Sequence, residues 1–186
     1  MPLFDLIPTR SHLLLIDMQE RFLPVIPSMA DEQPLGRACR QLLAGAALLG
    51  VETTITEQYP KGLGATLPSL IAAAPTAPRL AKMHFSAWDD PAIRAHLGRG
   101  QRDQIVLCGV EAHVCVLHTA TDLLAAGKTV VVAGDAVASR SDLHRALALE
   151  ALRDLGALVI PAESILMRWQ RLAGTPTFKA ISSLIK

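Results

Sequence analysis

Three times the sequence runs from a leucine- and alanine-rich stretch through one glycine into a β-branched run: LLAGAALLGVETTIT, DLLAAGKTVVVA and ALRDLGALVIP. A helix that closes on a left-handed glycine and passes directly into a strand is the joint of an α/β protein, which places Gly50, Gly127 and Gly156 at helix C-termini. The runs LLLI, VETTIT, IVLC, TVVV and ALVI are short, apolar and β-rich. Strands buried on both faces of a parallel sheet read this way, so the class is α/β.

Strands are predicted near 12–16, 51–56, 79–83, 104–109, 129–133 and 157–160, and main helices over roughly 35–49, 114–126 and 142–155. Ser141 is a suitable N-cap for the last. Segment 57–78 is rich in Pro and Gly and predicts a long loop carrying a short helix; long loops in compact domains are often functional. The tail, 163–186, either packs as helices or serves an oligomer contact. With 186 residues, 51% of them hydrophobic, the chain can bury one substantial core, so a single domain over 1–186 is expected.

A formal net charge of +1 without a Lys/Arg block speaks against nucleic acid or an anionic membrane as the main partner and for a small molecule. Cys39, Cys108 and Cys115 are an odd number without the dense spacing of a disulfide framework, which suits a reducing, cytoplasmic compartment. The N-terminal residues lack a secretory signal pattern, and no apolar run is long enough to span a bilayer.

Ligands of an open parallel α/β sheet bind beyond the carboxyl ends of its strands. There the sequence puts Asp17, ending the first strand in LLLIDMQ, Lys82, at the end of RLAKMHF, and Cys115, six residues past the fourth strand and opening a helix. A thiolate, not a thiol, is the nucleophile, so a catalytic cysteine needs positive potential or an adjacent base. A helix N-terminus and Lys82 supply the first, and Asp17 the second. Each residue also has a plain reading: a core cysteine, a turn-capping aspartate, a paired lysine. Cys108 reads as core packing and Cys39 as core or partly exposed. His113, His118 and His84 lack a second ligand cluster at metal spacing. His12, His96 and His144 read as surface or boundary residues, and Met167 and Trp169 as core or interface. Nucleotide-binding glycine motifs, a G-x-S-x-G elbow and a C-x-x-C pair are all absent from the sequence.

The segments LLLIDMQERF, RLAKMHFSAW, VLCGVEAHVCVLHTATDLLAAG and VVVAGDAVASR, in this order from His12 to about Pro161, resemble the isochorismatase-like cysteine hydrolases. The resemblance implies a Rossmann-like, three-layer doubly wound fold with a mostly parallel six-stranded sheet. It implies an Asp17–Lys82–Cys115 triad: Asp17 as general base and acid, Lys82 holding Asp17 and the polarised substrate, Cys115 as nucleophile. It further implies a cis peptide at Val110-Glu111, an oxyanion hole from the backbone N–H groups of Glu111 and Cys115, and a homo-oligomer, dimer or tetramer. Cys115 favours amide-like substrates over the vinyl ether of isochorismatase proper. Where the nicotinamidase branch binds a metal, this chain has Glu57, Gln58 and Tyr59, so neither metal nor cofactor is expected. TEQYPKGLG and GVEAHVCV look closer to the isochorismatase domain-containing proteins, with Phe22, Gln58, Tyr59, Phe85, Trp88 and His113 as candidate pocket residues. The rival expectation is a catalytically silent binding or scaffold protein with a redox-sensitive cysteine. A third is hydrolysis without a covalent step.

Overall fold

The computed structural model describes residues 5–100 and 102–186. Six strands, β1 (Ser11–Ile16), β2 (Glu52–Gln58), β3 (Arg79–Lys82), β4 (Gln104–Val110), β5 (Thr129–Ala138) and β6 (Leu158–Ile160), form one sheet in the order β3-β2-β1-β4-β5-β6. Every pairing is parallel. Among the described residues eight α-helices join and follow them: α1 (Pro34–Leu48), α2 (Pro60–Leu63), α3 (Pro68–Ala73), α4 (Pro91–Leu97), α5 (Leu117–Ala125), α6 (Asp142–Asp154), α7 (Ala162–Gln170) and α8 (Pro176–Leu184).

The two-residue period of a strand makes this a three-layer molecule. In β1, Leu13 and Leu15 join the core built with Leu42 of α1, Leu166 of α7 and Ile181 of α8. Leu14 and Ile16 join the opposite core, with Ile93 of α4, Leu123 of α5 and Leu152 of α6. Each such side chain stabilises the fold by about 1.5–3 kcal/mol relative to exposure. This is why the strand reads as an unbroken apolar run.

The chain winds outward from β1 to β3 and then crosses back to β4, so the topological switch point lies between β1 and β4. The crevice beyond their carboxyl ends is the natural ligand site. Gly109 lies beside this seam with φ +114°, and a Cβ there would sit 2.0 Å from the Ile16 carbonyl oxygen. Only glycine admits both the conformation and the approach of β4 to β1.

Gly50, Gly127 and Gly156 follow α1, α5 and α6 with φ of 67°, 77° and 98°, as their place between helix and strand predicts. Other elements differ from expectation. Segment 57–78 carries two short helices, and β2 reaches into it as far as Gln58. Helix α4 was not expected, although Asp90 caps it by accepting from the N–H groups of Ala92 and Ile93 and Pro91 opens it. The tail forms α7 and α8, packed on α1. Trp169 is buried and its Nε1 donates to Ser11 Oγ at 2.8 Å.

His12 is a correction. Read as a surface or boundary residue, it is 2% exposed. Its Nε2 is hydrogen-bonded to Thr54 Oγ1 at 2.8 Å, and Thr54 Oγ1 to His96 Nε2 at 3.0 Å. Thr54 on the neighbouring strand β2 gives the imidazole a partner that lets it sit in the interior.

Candidate active site

Asp17 follows β1 directly, at φ 53°. Its Oδ1 accepts from Thr56 Oγ1 at 2.7 Å, and its Oδ2 accepts from Lys82 Nζ at 2.7 Å. The Asp17 and Lys82 side chains are 1% and 0% exposed. An isolated charge at this depth would be untenable, and each supplies the other's counterion. The Lys82 ammonium also donates to Gln58 Oε1 at 2.7 Å and to the carbonyls of Phe85 and His84 at 3.2 and 3.3 Å.

After β4 the chain passes through a cis peptide at Val110-Glu111 into a π-helical turn, Ala112–Val116, before α5 begins. Such turns recur at functional sites. Cys115 therefore lies inside a wide turn, not at the opening of a regular helix, and is 6% exposed. Glu111 is held by Arg140, whose backbone N and Nε donate to Glu111 Oε1 at 3.2 and 2.8 Å.

Lys82 supplies positive potential at Cys115, as expected, but it is outweighed. Burial pushes its thiol up to about 12, the Asp17 carboxylate pushes in the same direction, and the Lys82 ammonium opposes both. Asp17 and Lys82 thus both act on the thiol. Burial and the facing carboxylate together favour the protonated thiol.

The expected pocket residues differ in their surroundings. Gln58 directs its amide at Lys82. Phe22 packs against the core on the α1 side. Tyr59 and Phe85 are 47% and 59% exposed, with Phe85 6.4 Å from the His118 ring. Trp88 packs into the opposite core, with Lys128 Nζ 6.0 Å from its ring centroid. Lys128 immediately precedes β5. His113 turns to the β5–α6 connection, with Nδ1 2.9 Å from Ser139 Oγ and its ring 4.8 Å from His144; burial lowers its pKa.

Thr56, Gln19, Ser139 and Arg140 were not found from sequence. Thr56 and Gln58 alternate on β2 in TEQ, a pattern that resembles an exposed strand face until Asp17 and Lys82 are seen beside it. Cys39 and Cys108 are fully buried. A separate cleft of about 620 Å³, lined in part by His12, Val51, Pro78 and His96, opens at the amino ends of the strands, far from Asp17. Among the described residues, no group of three or more His, Cys, Asp or Glu side chains is placed to hold a metal ion. None of the helices there is long and apolar enough to cross a membrane.

Fold and site together define a Rossmann-like α/β protein with an acid, an ammonium and a thiol gathered at its switch point. The isochorismatase domain model matches residues 11–164, and the chain belongs to that family. It is 40% identical over 182 residues to isochorismatase domain-containing protein 2A of Mus musculus, covering 97% of this chain and 85% of that protein. To the secreted isochorismatase effector Isc1 of Phytophthora sojae it is 37% identical, covering 97% and 87%. A solved structure described as the MAR1 ribonuclease of Caenorhabditis elegans superposes with a TM-score of 0.88 at 35% identity, over 98% of this chain and 92% of that one. The Escherichia coli YcaC product, described as an octameric hydrolase of unknown specificity, superposes with a TM-score of 0.91 over 99% and 92%. At 22% identity it bears on the fold alone.

Proposed function

We propose that the chain is a metal-independent cysteine hydrolase of a small amide-like substrate, acting through a thioester on Cys115. The observation that carries this reading is the Asp17–Lys82 ion pair, closed at 2.7 Å and withdrawn from solvent, next to a thiol on which both charges act. A structural cysteine has no need of a buried carboxylate with a dedicated ammonium.

As the thiol attacks the substrate carbonyl carbon, its proton passes to Asp17, so the thiolate forms only as the C–S bond does. The oxyanion that develops is met by the backbone N–H groups of Glu111, which caps the π-helical turn, and of Cys115 within it. Protonated Asp17 then delivers its proton to the leaving nitrogen, the C–N bond breaks, and ammonia or an amine departs. Water attacks the thioester with Asp17 again as base, releasing the carboxylic acid and restoring the thiol.

A binding protein of the same fold is the second reading, favoured by one observation: the thiol is 6% exposed and its pKa is pushed up to about 12. A ribonuclease, the description given to the nematode relative, finds no support in a net charge of +1. Incubation with primary amides and with a synthetic oligoribonucleotide separates the three: ammonia release lost in Cys115→Ala supports the hydrolase, strand cleavage supports the nuclease, and neither supports the binder. The same reading takes the protein to be a homo-oligomer. It also takes it to work in a reducing compartment, where Cys39, Cys108 and Cys115, all unpaired, stay reduced.

A further inference from the structure

We infer that Gln58 is a positioning residue of the reaction: its amide holds the Lys82 ammonium on Asp17 and leaves that ammonium no proton to offer the substrate. This deepens the cysteine hydrolase reading and rests on it.

An ammonium has three N–H bonds. Lys82 Nζ has four oxygen acceptors, two short ones at 2.7 Å, Asp17 Oδ2 and Gln58 Oε1, and two longer ones, the Phe85 and His84 carbonyls, and it also acts on the Cys115 thiol. All three protons are therefore spent within the protein. Lys82 acts on the reaction through Asp17 and through its charge, not by grasping a carbonyl oxygen, which departs from the role the family resemblance implied.

The carboxamide of Gln58 is itself oriented. Its Nε2 donates to the Met83 carbonyl at 3.0 Å, which turns Oε1 toward Lys82. Its backbone is fixed by Gln19, a fully buried side chain that behaves like a strand edge. Gln58 N donates to Gln19 Oε1 at 2.8 Å, and Gln19 Nε2 donates to the carbonyls of Gln58 at 3.0 Å and Gly64 at 2.7 Å. Gln19 N in turn donates to the Asp17 carbonyl at 2.8 Å. The path from Asp17 through Gln19, Gln58 and Lys82 returns to Asp17 as a closed ring of hydrogen bonds. Two residues back on β2, Thr56 holds the other carboxylate oxygen, so one face of one strand sets both members of the pair.

Neutrality of the amide matters as much as its reach. A carboxylate at position 58 would still accept from Lys82, but it would divide one ammonium between two anions and add negative charge near a thiol whose ionisation the Lys82 charge favours.

The test is single-turnover acylation by p-nitrophenyl acetate, read as nitrophenolate release and as acetyl on the Cys115 peptide, in the parent, Gln58→Leu, Gln58→Glu, Asp17→Asn and Cys115→Ala. Gln58→Leu is expected to lower the saturating rate by about tenfold, the scale of one charge-assisted hydrogen bond, with half-saturation within twofold. Gln58→Glu, near in shape and able to accept from Lys82, is expected to keep a maximal rate within about threefold of the parent, with the pH of half-maximal acylation displaced upward by about a unit. Parental rates and pH profiles in both variants, with acylation still lost in Asp17→Asn, would overturn the role of Gln58 and leave the hydrolase reading standing. No acetylation of Cys115 in the parent would overturn both.

Discussion

Thr56 Oγ1 and Lys82 Nζ approach the Asp17 carboxylate from opposite sides, each at 2.7 Å, one oxygen apiece. The strand ends of β2 and β3 thus decide where the acid at the end of β1 points, before any substrate arrives. That arrangement is a cooperative unit, and its parts should fail together.

Breaking the pair should cost stability as well as activity. Asp17→Asn leaves a buried ammonium without its counterion, and Lys82→Met leaves a buried carboxylate in the same state; each is expected to destabilise by about 3–5 kcal/mol. The double variant should recover part of that loss, because no uncompensated charge remains, while staying inactive. Urea unfolding of the three variants checks this. Single variants within about 1 kcal/mol of the parent would mean that the pair is not closed in solution.

The raised thiol pKa has a sign that can be read in alkali. Cys115 is held protonated in the folded state up to about 12, against a reference of 9.0, so as pH rises above 9 the unfolded chain loses this proton first. Stability contributed by the protonated thiol is fully present below pH 9 and is lost as pH climbs toward 12. Chemical denaturation between pH 8 and 11 should show this decline, shallower in Cys115→Ala. Cys39, also pushed upward, remains in both proteins and cancels in the comparison.

In acid the corresponding group is His12. Burial lowers its pKa to about 4 from 6.5, so between those values the unfolded chain binds the proton and the folded one does not. Its contribution is complete above pH 6.5 and lost as pH falls through about 4, worth approximately 3 kcal/mol across the window. His12→Gln should flatten the stability profile there, measured as urea midpoints from pH 7 to 4. An unchanged slope would place a charged imidazole at the Thr54 contact.

The α/β class, the six strands and the glycines at 50, 127 and 156 were legible because each rests on local chemistry: β-branched runs, and positive φ at a helix end. Asp17 and Lys82 were legible as polar interruptions of apolar strand ends, and Cys115 by its place just beyond the fourth strand. Helix α4 was legible in principle, since Asp90 and Pro91 form a capped start, but its seven residues offer little periodicity to count. The roles of Gln58 and Thr56 and the burial of His12 were not legible. Each depends on a partner from another strand, 24, 39 and 42 residues away, and sequence spacing carries no record of such contacts. The direction of the Cys115 shift failed for a related reason. A helix dipole can be read from sequence, whereas the burial and the facing carboxylate that outweigh it appear only in three dimensions.

In the proposed reaction Cys115 becomes acylated with Asp17 taking its proton. Intact-mass and peptide mass spectrometry of the full chain, mixed with p-nitrophenyl acetate at neutral pH and sampled in time, addresses it directly. One acetyl group is expected on Cys115, none on Cys39 or Cys108, with its loss by hydrolysis within the time course and no label in Asp17→Asn. Persistent absence of label on Cys115 would favour the binding protein, and equal labelling when Asp17 is replaced would remove Asp17 as the base.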